Sequence, residues 1–198
     1  MKLMAMGSEA SVYSKGDRVV KIRKRKGYRL NEIDAPLRKS RTRMEFGIMK
    51  KCYSSGIRVP APLKMKEEDC SIEMEKIEGI QFDSKFSTEK MKELGEMVAK
   101  MHRAGVVHGD LTTANILLTE KKLVIIDFGL SEHTAKDESR ATDIYLLKNA
   151  LKSRHKELYE KAYDTFLDSY SGSIGKEFKG INAHLKDIEK RRRYNEDY

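Results

Sequence analysis

The sequence predicts an α+β protein in which a small antiparallel sheet precedes a mainly helical half. Short apolar runs bounded by turn residues lie at 18–23, 63–66 and 71–76, and such runs are typical of strands. Later in the chain, apolar residues recur at helical spacing. A length of 198 residues suits one domain made of two small lobes. We therefore expect a first lobe at about 1–76 and a second at about 77–198.

The composition indicates an anionic partner and a reducing compartment. Lysine and arginine number 40 against 31 acidic residues, and the resulting net charge of +9 attracts polyanions. The two cysteines, Cys52 and Cys70, lack the spacing of a disulfide framework or a zinc site. No apolar run has the length of a signal-peptide core or of a membrane span. We therefore expect a cytoplasmic protein without a membrane partner.

Basic residues are concentrated in two segments, 21–43 and 190–193. Each segment can be a solvated face, which is the usual role of such runs, and cations at 190–193 also favour the C-terminus of a helix. Alternatively, the two segments together form a stripe that binds phosphates. Both interpretations remain open from the sequence.

Acidic and amide side chains, which are candidate catalytic and metal-binding groups, flank a predicted hairpin. The segments 116–118 and 123–126 are rich in β-forming residues and lie on either side of a charged turn. Asp110 and Asn115 precede the first strand, and Asp127 follows the second. Because both connections leave the same end of a hairpin, we expect the three side chains to converge.

These three side chains suit phosphoryl transfer from a nucleoside triphosphate. Mg²⁺ takes hard oxygen ligands, which Asn115 and Asp127 would supply, and Asp110 would accept or orient the proton of the attacking hydroxyl. The alternative is that each aspartate caps a turn. The order H-x-D-x-x-x-x-N followed by D-F-G resembles the catalytic core of the protein-kinase superfamily. This resemblance implies a bilobal protein-kinase-like fold with a small antiparallel-sheet N-lobe and a reduced helical C-lobe.

The first lobe contains candidate ATP-binding residues. Gly7-Ser8-Glu9-Ala10 forms either a turn whose backbone N–H groups approach phosphates or an ordinary hairpin turn. Lys21 follows two valines, as the lysine of the kinase V-A-I-K pattern does, and is otherwise a solvated strand lysine. Glu45 lies beside the apolar stripe of a predicted helix, where it holds Lys21 or forms a surface ion pair with Arg41.

The kinase resemblance has consequences for the binding of ATP and for the transfer of phosphate to proteins. It implies that the segment containing Glu75 and Ile77 is the hinge whose backbone groups bind adenine. Peptide kinases normally place a lysine two residues after the catalytic aspartate, and Thr112 stands at that position here. We therefore expect slow phosphorylation of proteins, with hydrolysis of ATP favoured when a partner positions water at Asp110.

Five helices are predicted from apolar spacing and from start and stop residues, at 34–54, 87–104, 141–151, 153–170 and 175–192. Ser87 is the predicted N-cap of the second helix, and Gly172-Ser173 with Gly175 separates the last two. Asp143 either accepts backbone N–H bonds from the Asp110 loop or is a plain acid of a first helical turn.

In combination, the motifs resemble those of one family over nearly the whole chain. They are the single-glycine loop at 7–10, Lys26-Gly27-Tyr28-Arg29, Arg41-Thr42-Arg43-Met44-Glu45, the loop at 108–115, the absence of an activation segment, and an arginine-rich end. They are similar to those of the small atypical, Rio-like kinase of the KEOPS (EKC) complex. This resemblance implies an ATPase and weak serine/threonine kinase that uses ATP with Mg²⁺ or Mn²⁺.

The same resemblance assigns roles and partners. It implies that Asp110 is the catalytic acid/base, that Lys21 binds ATP, and that Asn115 and Asp127 hold the metal. It also implies that the protein acts with the threonylcarbamoyl-transferring subunit and other KEOPS subunits, which together make threonylcarbamoyladenosine in tRNA. The three arginines that would contact tRNA are Arg191, Arg192 and Arg193. In this chain, Asn195-Glu196-Asp197-Tyr198 follows them, whereas the arginines usually end the chain.

Three competing functions remain. A Rio-type kinase of ribosome maturation is expected to carry a longer flanking domain. A small-molecule phosphotransferase also uses His-Gly-Asp, but it needs an acidic pocket for a cationic substrate, and this chain is basic. A nucleotide-sensing scaffold that binds tRNA with little turnover would not require the intact set of Asp110, Asn115 and Asp127.

Overall fold

In a computed structural model, the chain divides into two compact units, Met1–Glu78 and Gly79–Tyr198. The structure describes residues 1–7 and 9–196, without the side chains of 31 and 193–196. Two of the residues selected from the sequence, Ser8 and the side chain of Arg193, therefore lie outside the described residues.

The first unit is built on a five-stranded antiparallel sheet. In chain order its strands are β1 (Lys2–Met6), β2 (Ala10–Lys15), β3 (Arg18–Arg23), β4 (Pro62–Lys66) and β5 (Ser71–Glu75). Their order in the sheet is β1-β2-β3-β5-β4. The predicted strand 18–23 is therefore confirmed, and it is the central strand, paired with β2 on one side and β5 on the other.

One long helix, α1 (Asn31–Ser54), lies between β3 and β4 in the chain. Ile48, Met49 and Cys52 on this helix are buried in the core. The predicted start near Asp34 is wrong. The carbonyl of Leu30 already accepts the N–H groups of residues 33 and 34, so the first turn forms before the proline that suggested a helix start. Burial raises the pKa of the Cys52 thiol to about 12, so this side chain acts as an inert part of the core.

Within the described residues, the second unit combines five short strands with four α-helices. Its strands are β6 (Ile80–Gln81), β7 (Val106–Val107), β8 (Ile116–Leu118), β9 (Leu123–Ile125) and β10 (Glu132–His133). Its α-helices are α2 (Lys90–Arg103), α3 (Asp137–Arg154), α4 (Tyr159–Ile174) and α5 (Phe178–Glu196). The predicted hairpin is confirmed as β8 paired with β9, with Ile116 opposite Ile125.

A close crossing of α2 and α4 forms the centre of this unit. The predicted inward face of α2 is confirmed, because Met91, Leu94, Val98 and Met101 are all fully buried. Gly95 lies on the same helix, where a Cβ would come within 2.6 Å of the carbonyl oxygen of Phe166 on α4. Only glycine therefore allows the two helices to approach this closely.

Several predicted helix boundaries are wrong, each for a local reason. The second predicted helix begins at Lys90, because the Ser87 hydroxyl donates to the Glu89 carboxylate and caps no helix. The helix predicted to start at 141 begins at Asp137. The helix predicted to start at 153 begins at Tyr159 and continues through Gly172. It ends at Ile174, because the next residue, Gly175, has a φ of +72° that an α-helix does not allow.

Asp83 joins the 3₁₀ turn Phe82–Lys85 to the end of α3. Its carboxylate accepts hydrogen bonds from Arg154 at 2.6 Å and from His155 at 3.0 Å. Burial alone would raise the pKa of Asp83, but these bonds and the positive charges outweigh it and lower the pKa below its usual value. Ionised Asp83 therefore stabilises the fold above the carboxyl pKa of the unfolded chain, about 3.9.

We expect Asp83→Asn to lower the free energy of unfolding by about 1 kcal/mol at neutral pH. The deficit stays constant down to about pH 5 and shrinks below about pH 4, as the wild-type carboxyl group becomes protonated. Urea denaturation across this range measures it, with the exposed Asp168→Asn on α4 as control. A deficit of the same size at about pH 3.5 as at neutral pH would contradict this ionic role.

Candidate active site

The loop after β7 carries the predicted catalytic aspartate. His108 is fully buried at its start, whereas Asp110 is exposed. The amide nitrogen of Asn115 donates to the backbone carbonyl of Asp110 and to its carboxylate Oδ2, both at 2.9 Å. The structure thus brings two of the predicted residues into direct contact. The amide also fixes the orientation of the carboxylate.

Asp127 follows β9 in an unusual backbone conformation, with φ of +63° and an exposed side chain. The N–H of Gly129 donates to its Oδ1 at 3.2 Å. The neighbouring Ile126 donates its N–H to the carbonyl of Asn115 and accepts a bond from Nε2 of His108, both at 3.0 Å. The backbone beside Asp127 is therefore tied to the loop that carries Asp110, as the hairpin argument predicts.

The donor set fits a magnesium ion that is bound together with phosphates. Because the amide nitrogen of Asn115 makes both bonds to Asp110, its oxygen is directed away from that carboxylate. The exposed carboxylate of Asp127 supplies a second hard oxygen. Within the described residues, no group of three or more His, Cys, Asp or Glu is placed to hold a metal. Mg²⁺ commonly uses one or two carboxylates, water and substrate phosphates, so these two donors are compatible with it, and metal binding by them stays a prediction.

Asp143 on α3 holds the loop from behind. Its carboxylate accepts the backbone N–H groups of His108 at 2.6 Å and of Gly109 at 2.8 Å. The predicted bracing role is therefore confirmed. The alternative, a first-turn acid, is wrong because α3 begins at Asp137 and places Asp143 in its second turn.

Two further buried side chains, which the sequence analysis did not select, extend this network. Nε2 of His102 lies 3.1 Å from the Asp143 carboxylate, and Nδ1 lies 2.8 Å from the hydroxyl of Tyr170. Burial raises the pKa of Tyr170, so its hydroxyl keeps its proton. Because an ionised carboxylate can only accept hydrogen bonds, the Nε2–H of His102 donates to Asp143. No local motif marks His102 or Tyr170, since each lies on a different helix from Asp143.

In the first unit, Glu45 of α1 meets two cations of β3. Lys21 Nζ lies 2.6 Å from Glu45 Oε1, and Arg23 lies 2.5 Å from Oε2. The predicted pair of Lys21 with Glu45 is confirmed, and the alternative pair of Glu45 with Arg41 is wrong. Arg41 bonds instead to Glu9 at 3.0 Å. Arg23 was not predicted as a partner of Glu45, although its spacing two residues after Lys21 places both on the same face of a strand.

Gly7 follows β1, and its N–H donates to the carbonyl of Ala10, the first residue of the antiparallel partner β2, at 2.9 Å. Ala10 is buried. The Glu9 carboxylate faces Arg41 and, at 3.7 Å, Lys26. Glu9 therefore anchors the turn to the basic segment that follows β3. Whether the turn contacts phosphates stays a prediction.

The predicted adenine-binding segment begins at the end of β5. The N–H of Glu75 donates to the carbonyl of Ala61 at 2.9 Å, and the Glu75 side chain accepts the N–H of Ala61 at 3.1 Å. Its N–H is therefore already bonded within the protein. Ile77 follows it and is half-buried. Adenine binding by these two residues stays a prediction.

Two of the three predicted tRNA-contacting arginines are described, and both are exposed on α5. Arg191 lies 3.6 Å from Glu138 of α3, and the guanidinium of Arg192 lies 6.0 Å from the centre of the Tyr145 ring. Exposed pairs of this kind are weak, so phosphates can displace them. None of the helices in the described part of the chain is long and apolar enough to cross a membrane.

Comparison with known proteins places this geometry in a family. Residues 7–161 match the family model of the RIO domain. The chain belongs to the RIO domain family. The predicted class, a RIO-type atypical serine/threonine kinase, is confirmed. The match covers most of the chain, including the Lys21–Glu45 pair and the segment from His108 to Asp127.

Relatives and a solved structure support this assignment. The KEOPS complex subunit Bud32 of Pyrococcus abyssi is 36% identical over 215 residues, covering 99% of this chain and 97% of the relative. A probable bifunctional tRNA threonylcarbamoyladenosine biosynthesis protein of Methanobrevibacter smithii is 36% identical over 196 residues, covering 97% of this chain and 36% of the relative. The crystal structure of a Rio2 kinase–ADP/Mg²⁺–phosphoaspartate complex from Chaetomium thermophilum aligns with a TM-score of 0.55 and 19% identity, covering 96% of this chain and 72% of that one. The predicted α+β kinase-like fold is therefore confirmed.

Proposed function

We propose that this RIO-family member is the ATP-dependent atypical kinase and ATPase subunit of a KEOPS complex that makes threonylcarbamoyladenosine in tRNA. The observation that carries the enzymatic part is the contact between Asn115 and both oxygen-bearing groups of Asp110. This contact orients the carboxylate that would accept the proton of the attacking group. The KEOPS complex subunit Bud32 of Pyrococcus abyssi, which is 36% identical over 99% of this chain, supports the proposed membership of a KEOPS complex.

Each proposed residue has one task in this mechanism. Lys21, held by Glu45, pairs with phosphate oxygens of ATP. Asn115 and Asp127 would hold Mg²⁺ or Mn²⁺, which neutralises charge on the phosphates. Asp110, oriented by Asn115, accepts the proton of the attacking hydroxyl or orients an attacking water.

The loop favours hydrolysis over transfer to peptides. Peptide kinases place a lysine where this chain has the uncharged Thr112. This position therefore offers no positive charge to contact the γ-phosphate. We propose that a partner subunit supplies the positioning that makes Asp110 productive. The isolated chain therefore phosphorylates generic peptides well below the roughly 1–100 per second of ordinary kinases.

The proposed partners are other KEOPS subunits, among them the threonylcarbamoyl-transferring subunit, and tRNA. The net charge of +9 favours a polyanion. The exposed Arg191 and Arg192, with Arg193, are the proposed phosphate contacts. In this function the protein works in the cytoplasm, where tRNA is modified.

The test is ATP hydrolysis by the purified chain with Mg²⁺, alone and with the threonylcarbamoyl-transferring subunit and tRNA. We expect the partner to stimulate hydrolysis and Asp127→Ala to reduce it by about 100-fold, because a metal ligand is lost. The exposed Asp168→Ala on α4 is the matched control and keeps wild-type hydrolysis. Steady transfer of phosphate to a protein without any partner stimulation would refute the proposal in favour of a conventional kinase.

A further inference from the structure

A groove of about 560 Å³ lies between α3 and α5, beside the exposed arginines of α5. This volume is within the range of sites that bind small organic groups. One face of α3 forms the first wall, with Glu138, Thr142, Tyr145 and Asn149 at helical spacing. The second wall belongs to α5 and includes Ile188, Arg191 and Arg192. Attraction of the arginines for phosphate alone would make no use of this groove.

The two walls of the groove are joined by contacts of their own. Lys148 of α3 pairs with Glu189 of α5 at 2.5 Å, and both side chains are less than one-quarter exposed. Near the start of α5, Gly180 lies so close to Asp137 of α3 that a Cβ would overlap the carboxylate. The helices are therefore held together at two levels. A groove with fixed walls costs little to order when a ligand binds.

An aromatic ring and a guanidinium group face each other at the groove. The guanidinium of Arg192 lies over the Tyr145 ring, 6.0 Å from its centre. Tyr145 is half-buried and thereby held in place, whereas Arg192 is exposed. Nucleobases stack on aromatic rings and on guanidinium planes. Successive bases in a strand are about 3.4 Å apart, so a base between these two groups needs about 7 Å. A small outward movement of Arg192 supplies this space.

The polar groups of the groove suit the phosphates and the edge of such a base. Two arginines and one glutamate line the groove, which gives a net charge of +1. The glutamate, Glu138, lies 3.6 Å from Arg191, and the two side chains are 59% and 65% exposed. Exposed ion pairs are weak, so a phosphate can take the place of Glu138. The exposed amide of Asn149 offers both a donor and an acceptor to a base edge.

We propose that the groove between α3 and α5 binds one unpaired nucleotide of an RNA strand, with its base stacked on Tyr145 and a phosphate at Arg191. This inference rests on the proposed contact of the α5 arginines with tRNA and adds the chemical group that the groove binds. A base within a duplex is already stacked and is not offered to a protein ring. An acidic peptide would use the arginines but would have no need of the ring.

The experiment compares two strands of equal charge, using fluorescence anisotropy on the full chain. One probe is a mixed-sequence single-stranded RNA of about 12 nucleotides, a length that suits such sites. The other is the same ribose–phosphate strand without bases. We expect Tyr145→Leu to weaken binding of the RNA by about tenfold and to leave the abasic strand unchanged, because the stacking contact is lost. Tyr145→Phe keeps the ring and binds RNA within about twofold of the wild type.

Controls separate the ring from the charges. Tyr53→Leu replaces a 54% exposed tyrosine on α1, outside the groove, and binds both strands as the wild type does. Arg191→Ala weakens both strands and lowers the slope of log K against log salt by about 0.7, whereas Tyr145→Leu keeps the wild-type slope. If Tyr145→Leu does not fold, the exposed Asn149→Ala replaces it. That variant is expected to weaken RNA by about threefold and to bind the abasic strand normally.

Three outcomes would overturn this inference while the proposed function stands. They are equal affinity of the wild type for the two strands, an equal loss on both strands in the groove variant, and unchanged RNA binding in that variant. The first would show that the arginines attract any polyanion, an acidic peptide included. A wild-type chain that binds neither strand would overturn the proposed partnership with tRNA, and this inference with it.

Discussion

Replacing Asp143 with asparagine is expected to lower the free energy of unfolding by about 3 kcal/mol and to reduce ATP turnover by about 100-fold. The wild-type carboxylate accepts three donors: the N–H groups of His108 and Gly109, and Nε2–H of His102. An asparagine places an NH₂ group against at least one of these donors, whichever way the amide is turned. A buried N–H then loses its partner, and the loop that positions Asp110 relaxes.

Urea denaturation and steady-state ATP hydrolysis measure the two effects on the same samples. Tyr170→Phe removes only the hydroxyl that bonds His102, so it is expected to cost about 1 kcal/mol and to affect turnover less. Asp187→Asn on the exposed face of α5 is the neutral control. Wild-type turnover in Asp143→Asn would show that the loop keeps its shape without the carboxylate.

The parts of this site that were predictable from the sequence are those held by local chemistry. The hairpin of β8 and β9 follows from β-forming residues on either side of a charged turn, and Asp110 and Asn115 then meet at its end. The pairing of Lys21 with Glu45 was accessible because a kinase-like lysine and a helix acid appear in the expected order. In each case, a short pattern specifies the geometry.

The parts that were missed depend on contacts between distant residues. His102 on α2 and Tyr170 on α4 were not predicted, and only the packing of these helices brings them to the predicted Asp143 of α3. Arg23 looked like one member of a solvated basic run, because composition does not reveal which arginine faces the core. The start of α2 was misplaced for a different reason. A serine near a helix start suggests a cap, but Ser87 bonds a neighbouring carboxylate instead.

The residue between His108 and Asp110 illustrates how a tertiary contact restricts a motif. Gly109 has φ of +78°, and a Cβ built on it would lie 2.2 Å from the backbone carbonyl oxygen of Leu130. Leu130 directly follows the D-F-G segment, so the close approach joins the two loops that carry Asp110 and Asp127. The arginine of the common kinase motif H-R-D has no space at this position in this chain.

We therefore expect Gly109→Ala to lower the free energy of unfolding by about 3 kcal/mol. The left-handed conformation disfavours a side chain, and the backbone of Leu130 must move to accept one. ATP hydrolysis falls with it, because the displaced loop holds the proposed catalytic and metal-binding groups. Gly109→Arg, which matches the common motif more closely, is expected to be at least as damaging. Urea denaturation and ATP hydrolysis measure both variants.

Gly172→Ala provides the matched control, because Gly172 lies inside α4 and a Cβ there meets nothing within 4 Å. Alanine is the better helix former, so this variant is expected to be more stable by up to about 1 kcal/mol. Opposite effects of the same substitution at two glycines would separate the close contact at Gly109 from any general effect of adding a methyl group. Similar stability in the two variants would mean that the loops beside Asp110 and Asp127 can separate without cost, and that Gly109 is not what holds them together.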